Sequence, residues 1–231
     1  MIKNKKKVTA LIPARGGSKG IKNKNIKILN SHPLIYWTIN AALNAKYIDK
    51  VVVSTDSNRI AKISEKYGAI IPGLRPKKHS KDNSSTESVI EHYINNWSTK
   101  NEETIILLQP TSPIRKKNLI DSSISKFFDG CYDSLLSITQ VQNHFIWKTN
   151  NYKTIPLYDI NNRLRKQDIS KEDHIYFENG SIYIFDINKF KKFKNRLFGK
   201  IGHIIIDKKE SIDIDSSEDF KIASNIMKIK I

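Results

Sequence analysis

Apolar and polar residues fall in alternating blocks along the first two-thirds of the chain. Val8-Thr-Ala-Leu-Ile12 is a short apolar run and predicts a buried strand over Val8–Pro13. Leu34–Tyr47 follows Pro33 and has apolar residues at 34, 35, 39, 42 and 43, the spacing of a helix with one buried face. Lys50–Ser54 predicts a second buried strand, Asn58–Tyr67 a helix closed by Gly68, and Ala69–Pro72 a short strand. Thr86–Trp97 predicts a helix, Thr104–Leu108 a strand, Lys117–Phe128 a helix and Ser134–Thr139 a strand. Strand–helix–strand units with continuously apolar strands predict an α/β fold whose mainly parallel sheet is covered on both faces.

From Val141 to Glu178 the pattern breaks down into a polar, irregular stretch. A long structureless loop is unusual inside a compact domain, so 141–178 reads as a protruding insertion, an arm suited to dimerisation. Strands return at Gly180–Phe185 and His203–Asp207, and Ser217–Lys228 predicts a last helix. The organisation is one domain over residues 1–231 with that arm inserted.

Ligands of parallel sheets bind beyond the carboxyl ends of the strands, so the loops there are where chemistry is expected. The first carries Arg15-Gly-Gly-Ser-Lys-Gly20, then Lys22, Lys24 and Asn25. Glycines let the backbone approach a phosphate and aim N–H groups at it, and the cations supply charge. The loop fits neither G-x-x-x-x-G-K-[ST] nor G-x-G-x-x-G, and its chemistry suits a polyanion such as a nucleoside triphosphate. Gln109-Pro-Thr-Ser-Pro-Ile-Arg115 is a stiff polar turn suited to a polyhydroxylated ligand. Arg75–Asp82 with Ser84, Ser85 and Thr86 offers groups for a base edge and a cap for the next helix. Asp213-Ile-Asp215, if extended, turns two carboxylates to one side, and hard oxygens suit Mg²⁺. Asp215-Ser-Ser-Glu218 also has capping-box spacing, with Asp219 in the first turn, so metal binding and capping are both open for Asp215.

Composition narrows the picture. The chain carries +17 net charge from 40 Lys+Arg against 23 Asp+Glu. The lysines are spread along its length without a nucleic-acid-binding motif, and acidic small substrates explain a basic pocket equally well, so no nucleic-acid partner is expected. No apolar run reaches the roughly 20 residues that span a bilayer, and no signal-like segment precedes the first strand, so no membrane association is expected. The single Cys131 excludes an intrachain disulfide and has no base beside it; a cytoplasmic enzyme without a cysteine nucleophile is the simplest reading.

Six segments in order resemble the acylneuraminate cytidylyltransferases: Ile12–Ile26, Val53–Asp56, Arg75-Pro76, Leu108–Arg115, Glu178–Tyr183 and Ser211–Asp215. The resemblance covers almost the whole chain. It implies a three-layer α/β/α Rossmann-like nucleotidyltransferase fold and a Mg²⁺-dependent reaction of CTP with an acidic nine-carbon sugar, giving the CMP-sugar and pyrophosphate. It implies that Arg15, Gly16, Gly17, Ser18, Lys19, Lys24 and Asn25 hold the triphosphate side of CTP. Arg75, Ser84 and Thr86 would read cytosine. Gln109, Asn179 and Tyr183, with Arg165 or Lys166 of the arm, would contact the sugar. Asp213 and Asp215 would bind Mg²⁺, and Arg15, Lys19 and Asp213 would carry catalysis. It also implies a homodimer whose arm reaches the neighbour's site. One departure is Lys166, which stands before Gln167 where the family often has arginine and gives a point charge instead of a fork. The expected sugar is of the neuraminic or legionaminic type rather than the pseudaminic.

Overall fold

Six strands build the central sheet, the inner parallel ones rich in Val, Ile and Leu. They are β1 (Val8–Pro13), β2 (Lys50–Ser54), β3 (Thr104–Leu108), β4 (Ser134–Gln140), β5 (Tyr176–Asp186) and β6 (Ile201–Ile205). In the computed structural model, which describes residues 6–18, 20–141, 145–150 and 152–229, their order is β6-β4-β5-β3-β1-β2. β5 runs antiparallel to both neighbours, and the other pairs are parallel.

Helices cover both faces, as sheets with apolar residues on each side require. On one face α1 (Leu34–Leu43), α2 (Asn58–Lys66) and α4 (Leu119–Asp129) pack on alternate strand residues such as Ala10, Ile12, Val53, Ile106 and Ile184. On the other, α3 (Thr86–Asn96) and α5 (Ile187–Phe193) bury Tyr93, Ile90 and Phe190 against Leu11, Val52, Leu107 and Phe185. A third cluster seats α6 (Ser217–Ile229) on the segment after β1, through Ile21, Leu29, Leu34, Ile114, Ile214 and Ala223. This last cluster brings a C-terminal segment to the glycine loop.

Several element boundaries differ from the sequence reading. α1 stops at Leu43 because the Asn44 amide donates to the Asn40 carbonyl at 2.8 Å and ends the helix ladder. α4 starts at Leu119 because Asn118 adopts a left-handed conformation, φ 66°. Ala69–Pro72 makes only an isolated bridge, Val52 to Ile70. The short helix α5 was not expected from the pattern. β5 begins at Tyr176, so residues 176–178 of the expected arm belong to the sheet, paired with Gln140, Thr139 and Ile138. β6 starts two residues before the expected His203 and ends before Asp207.

The described part of the arm holds a small hairpin, Trp147–Thr149 with Thr154–Pro156, and two one-turn helices, Lys166–Asp168 and Lys171–Asp173. Among the described residues, no helix is long and apolar enough to cross a membrane.

Candidate active site

The loops after β1, β2 and β3 and the segment before α6 enclose a cleft of about 370 Å³. It gathers Arg15, Ser18, Lys24, Asn25, Arg75, Ser84, Thr86, Gln109, Asp213 and Asp215, which lie far apart in sequence.

Asp213-Ile-Asp215 is positioned by its central residue. Ile214 is fully buried, and its N–H donates to the Thr111 carbonyl at 2.9 Å. With Ile214 anchored, both flanking carboxylates open to the cleft. Burial within the cleft pushes the Asp213 carboxyl up from its ordinary pKa, although the residue as a whole stays exposed. The nearby Asp215 adds to this, while a hydrogen bond from Thr111 and the charge of Lys24 pull the other way. Lys24 donates to the Ile214 carbonyl at 2.6 Å and to Asp215 Oδ1 at 2.9 Å. Two close carboxylates, one resisting ionisation, fit a divalent cation that completes its shell with phosphate oxygens and water. Among the described residues, no group of three or more His, Cys, Asp or Glu gathers around one point.

The capping box expected at Asp215–Glu218 lies one residue later. Ser216 Oγ accepts from the Asp219 N–H, and the Asp219 carboxylate accepts from the Ser216 N–H at 2.8 Å. Asp219 also accepts from the Asp215 N–H at 3.1 Å. The Asp215 side chain is thereby spared capping and turns to Lys24.

The glycine loop approaches this segment closely. A Cβ on Gly20 would collide with the Asp215 carbonyl oxygen, so glycine is what lets the two chains meet. Asn25 is buried and donates to the Arg15 carbonyl at 3.0 Å, fixing the loop's shape from beneath. The Gly16 N–H donates to Asp56 Oδ1 at 2.8 Å, so that amide is already committed. Arg15 pairs with Asp82 at 2.6 Å, linking the glycine loop to the 75–86 loop. Lys19 lies outside the described residues.

Arg75 pins the 75–86 loop to the end of β2. Its guanidinium donates to the Ser54 carbonyl at 3.0 Å, to Ser54 Oγ at 3.2 Å and to Ser80 Oγ at 3.0 Å. Burial pushes its pKa down to about 10, against the pull of Asp56. Ser84 accepts from the Lys81 N–H and donates to the Lys78 carbonyl, while Ser85 caps α3 and leaves Thr86 as its first helical residue.

The residues expected at the sugar end divide. Gln109 lines the cleft, and among the described residues its side chain has one long contact, 3.5 Å, from the Thr111 hydroxyl. Asn179 is buried in the sheet, where it donates to Thr139 Oγ1 at 2.9 Å and accepts from Ser137 Oγ at 2.6 Å and the Ser181 N–H at 3.1 Å. Those bonds tie β4 to β5 where the pairing register shifts after Leu136. The Tyr183 ring lies in the core beneath the Arg196 guanidinium, 4.5 Å from its centroid, and its hydroxyl donates to Glu178. Arg165 is exposed on the arm and pairs with Asp168 at 2.6 Å. Lys166 opens a one-turn helix there, and its side chain lies outside the described residues. Asn179, Tyr183 and Arg165 do not line the cleft.

Sequence reasoning did not single out Asp56 or Asp82. Both lie on loops at the strand carboxyl ends, which was the available signal, but their pairing with Gly16 and Arg15 exists only in three dimensions.

The sequence model of the cytidylyltransferase family matches residues 9–226. The chain belongs to this family. It is 34% identical over 229 residues to the N-acylneuraminate cytidylyltransferase of Escherichia coli O18:K1:H7 (strain RS218 / NMEC), which covers 97% of this chain and 53% of that protein. It is 30% identical to the CMP-N,N'-diacetyllegionaminic acid synthase of Legionella pneumophila subsp. pneumophila (strain Philadelphia 1 / ATCC 33152 / DSM 7513), over 96% of this chain and 97% of that one. It is 29% identical to the pseudaminic acid cytidylyltransferase of Campylobacter jejuni subsp. jejuni serotype O:23/36 (strain 81-176), over 95% of each. The chain spans about half the length of the curated N-acylneuraminate cytidylyltransferases it matches. A solved CMP:2-keto-3-deoxy-manno-octonic acid synthetase complexed with CTP has the same fold, with a TM-score of 0.73 at 14% identity over 97% of this chain and all of that one. The expected nucleotidyltransferase architecture is therefore present.

Proposed function

We propose that this cytidylyltransferase joins CMP from CTP to a nonulosonic acid, releasing pyrophosphate. The observation carrying this reading is the single cleft that unites the glycine loop, the 75–86 loop, Gln109 and the Asp213/Asp215 pair. A sugar anomeric oxygen bonds to the α-phosphorus, the bond from that phosphorus to the bridging oxygen breaks, pyrophosphate leaves with that oxygen, and the hydroxyl proton passes to water. Such a transfer needs alignment and charge neutralisation more than covalent help.

Arg15 and Lys24 supply positive charge at the phosphate end, joined by Lys19. Arg75, Ser84 and Thr86 form the base end, and Gln109 faces the sugar. Asp213 and Asp215 hold Mg²⁺, which supplies further charge neutralisation on the phosphates. As the nucleotide binds, its phosphates compete with Asp82 for Arg15 and with Asp215 for Lys24. A reaction consuming CTP fits the cytoplasmic location expected from the sequence.

The test is pyrophosphate release from CTP and Mg²⁺ against a panel of neuraminic, legionaminic, pseudaminic and octulosonic acids. Turnover of one nine-carbon acid, well above the octulosonic acid, is the expected result. Folded protein that binds CTP and turns over none of them would sink the reading.

The arm supports a homodimer. Trp147, Ile155, Leu157 and Ile160 are each about half exposed. Phe145 and Trp147 pack edge-on to Tyr158, with Arg163 over the Phe145 ring at 4.5 Å. An apolar surface of this kind on a protruding element suits burial against a second copy. Sedimentation should give a dimer, and Trp147→Glu with Leu157→Glu should shift it to monomer. A wild-type monomer at micromolar concentration would refute the arrangement.

A further inference from the structure

A second concavity, about 520 Å³, lies on the opposite side of the 109–118 turn from the cleft. Gln109, Pro110 and Thr111 face the cleft, whereas Pro113 through Asn118 line this groove. Its floor is Trp37 and Ala41 of α1, Pro113 of the turn and Met227 of α6. An apolar floor with a few polar groups at the edge, at this volume, is the usual form of a small-molecule site.

The rim is unbalanced in charge. Arg115, Lys116 and Lys117 face one carboxylate, Asp121, whose Oδ1 already accepts from the Tyr47 N–H at 3.0 Å. Lys116 is drawn away to Asp207 at 2.5 Å and Glu210 at 3.6 Å. Lys117 has no hydrogen-bond or ion-pair partner among the described residues. Arg115 donates to Thr38 Oγ1 at 2.9 Å and to the carbonyls of Gln109 and Ser181 at 2.9 and 3.1 Å, all neutral acceptors. Its Nε has no partner, and burial alone pushes its pKa down to about 9. An uncompensated guanidinium behind the turn and a free ammonium at its edge set up a positive field over an apolar floor.

We infer that this groove is a second small-molecule site, taking a flat apolar ring that carries a carboxylate, sulfonate or phosphate. The ring lies over Trp37 and Met227, and the anion meets Lys117 within the field of Arg115. The inference stands independently of the reaction proposed for the cleft.

The probe is 8-anilinonaphthalene-1-sulfonate, titrated into the folded protein and followed by its fluorescence. One dye per chain is expected, and it should stay bound at saturating CTP with Mg²⁺. Lys117→Glu, on an exposed turn, should weaken it about tenfold. Ala41→Phe, which fills the floor, should abolish the signal. Displacement by CTP would overturn the inference, and so would dye binding unchanged by Lys117→Glu, which would place the dye on the arm's aromatic cluster. Should Ala41→Phe prove unfolded by circular dichroism, the Lys117→Glu titration decides alone.

Discussion

Asp213→Asn should lower turnover of CTP by about 10³-fold, equivalent to roughly 4 kcal/mol of transition-state stabilisation, while the protein melts slightly higher than wild type. The two effects share one cause. The Asp213 carboxyl is pushed up by burial in the cleft and by the neighbouring Asp215. A carboxyl with a raised folded pKa binds its proton more tightly in the folded state than in the unfolded chain. Stability is therefore lost as pH rises through the window from the unfolded value to the folded one, and at neutral pH the charge is a burden. The neutral amide removes that burden and also removes the hard anionic oxygen a divalent cation requires. Mg²⁺ with CTP should accordingly raise the wild-type melting temperature more than the variant's. Wild-type activity should also fall on acidification at a higher pH than an ordinary aspartate would impose. A variant keeping more than a tenth of wild-type turnover would remove Asp213 from the reaction.

The parallel strands β1, β2 and β3 were legible because each is a short run dominated by apolar residues, with polar ones mostly at its ends. The gathering of the loop residues into one cleft was legible for a related reason. Its residues sit in loops that the strand–helix alternation places at one edge of the sheet, so Arg15, Lys24, Arg75 and Gln109 could be gathered before any coordinates. The places of Asn179 and Tyr183 were not, because local sequence does not show which strand neighbours will claim a polar group. The resemblance implied a sugar contact for Asn179, and its amide is engaged inside the sheet with Ser137, Thr139 and Ser181. The resemblance implied the same for Tyr183, and its ring is core. Capping spacing pointed to Asp215 and Glu218, and the box formed one residue on because Ile214 must stay buried to hold the turn. Local spacing allowed both registers; tertiary packing chose between them.

Glu102→Ala should destabilise the fold by about 3 kcal/mol without touching the chemistry. Glu102 is buried at the end of the sheet away from the cleft. One oxygen accepts from Tyr93 Oη at 2.5 Å and Thr9 Oγ1 at 3.0 Å. The other accepts from Lys50 Nζ at 3.0 Å, from the Thr99 N–H at 3.1 Å and from Thr99 Oγ1 at 3.2 Å. The carboxylate thus ties the starts of β1 and β2 to the end of α3 and the turn before β3. Burial alone would push its pKa up, but the bonds from Tyr93, Thr99 and Lys50 outweigh that and hold the carboxyl below its ordinary value. Its contribution is present above the unfolded carboxylate pKa and is lost as pH falls through the depressed folded value. Burial and the bond to Glu102 push the Tyr93 hydroxyl the opposite way, so its share is lost as pH rises past the unfolded phenol value. Truncation leaves the Tyr93 hydroxyl without its acceptor and the Lys50 ammonium without its counter-charge, with only the long contact to Tyr93 Oη at 3.4 Å. For a chain of 231 residues that loss corresponds to a melting temperature lower by roughly 6–12 °C. Glu102→Gln keeps an acceptor oxygen and should lose about half as much. Tyr93→Phe combined with Glu102→Ala should cost less than the sum of the two single changes, because both remove the same bond. Turnover per folded molecule at low temperature should match wild type, since no atom of this cluster lines the cleft. An additive double variant, or a Glu102→Ala protein as stable as wild type, would show that the five bonds are offset by the cost of desolvating the charge.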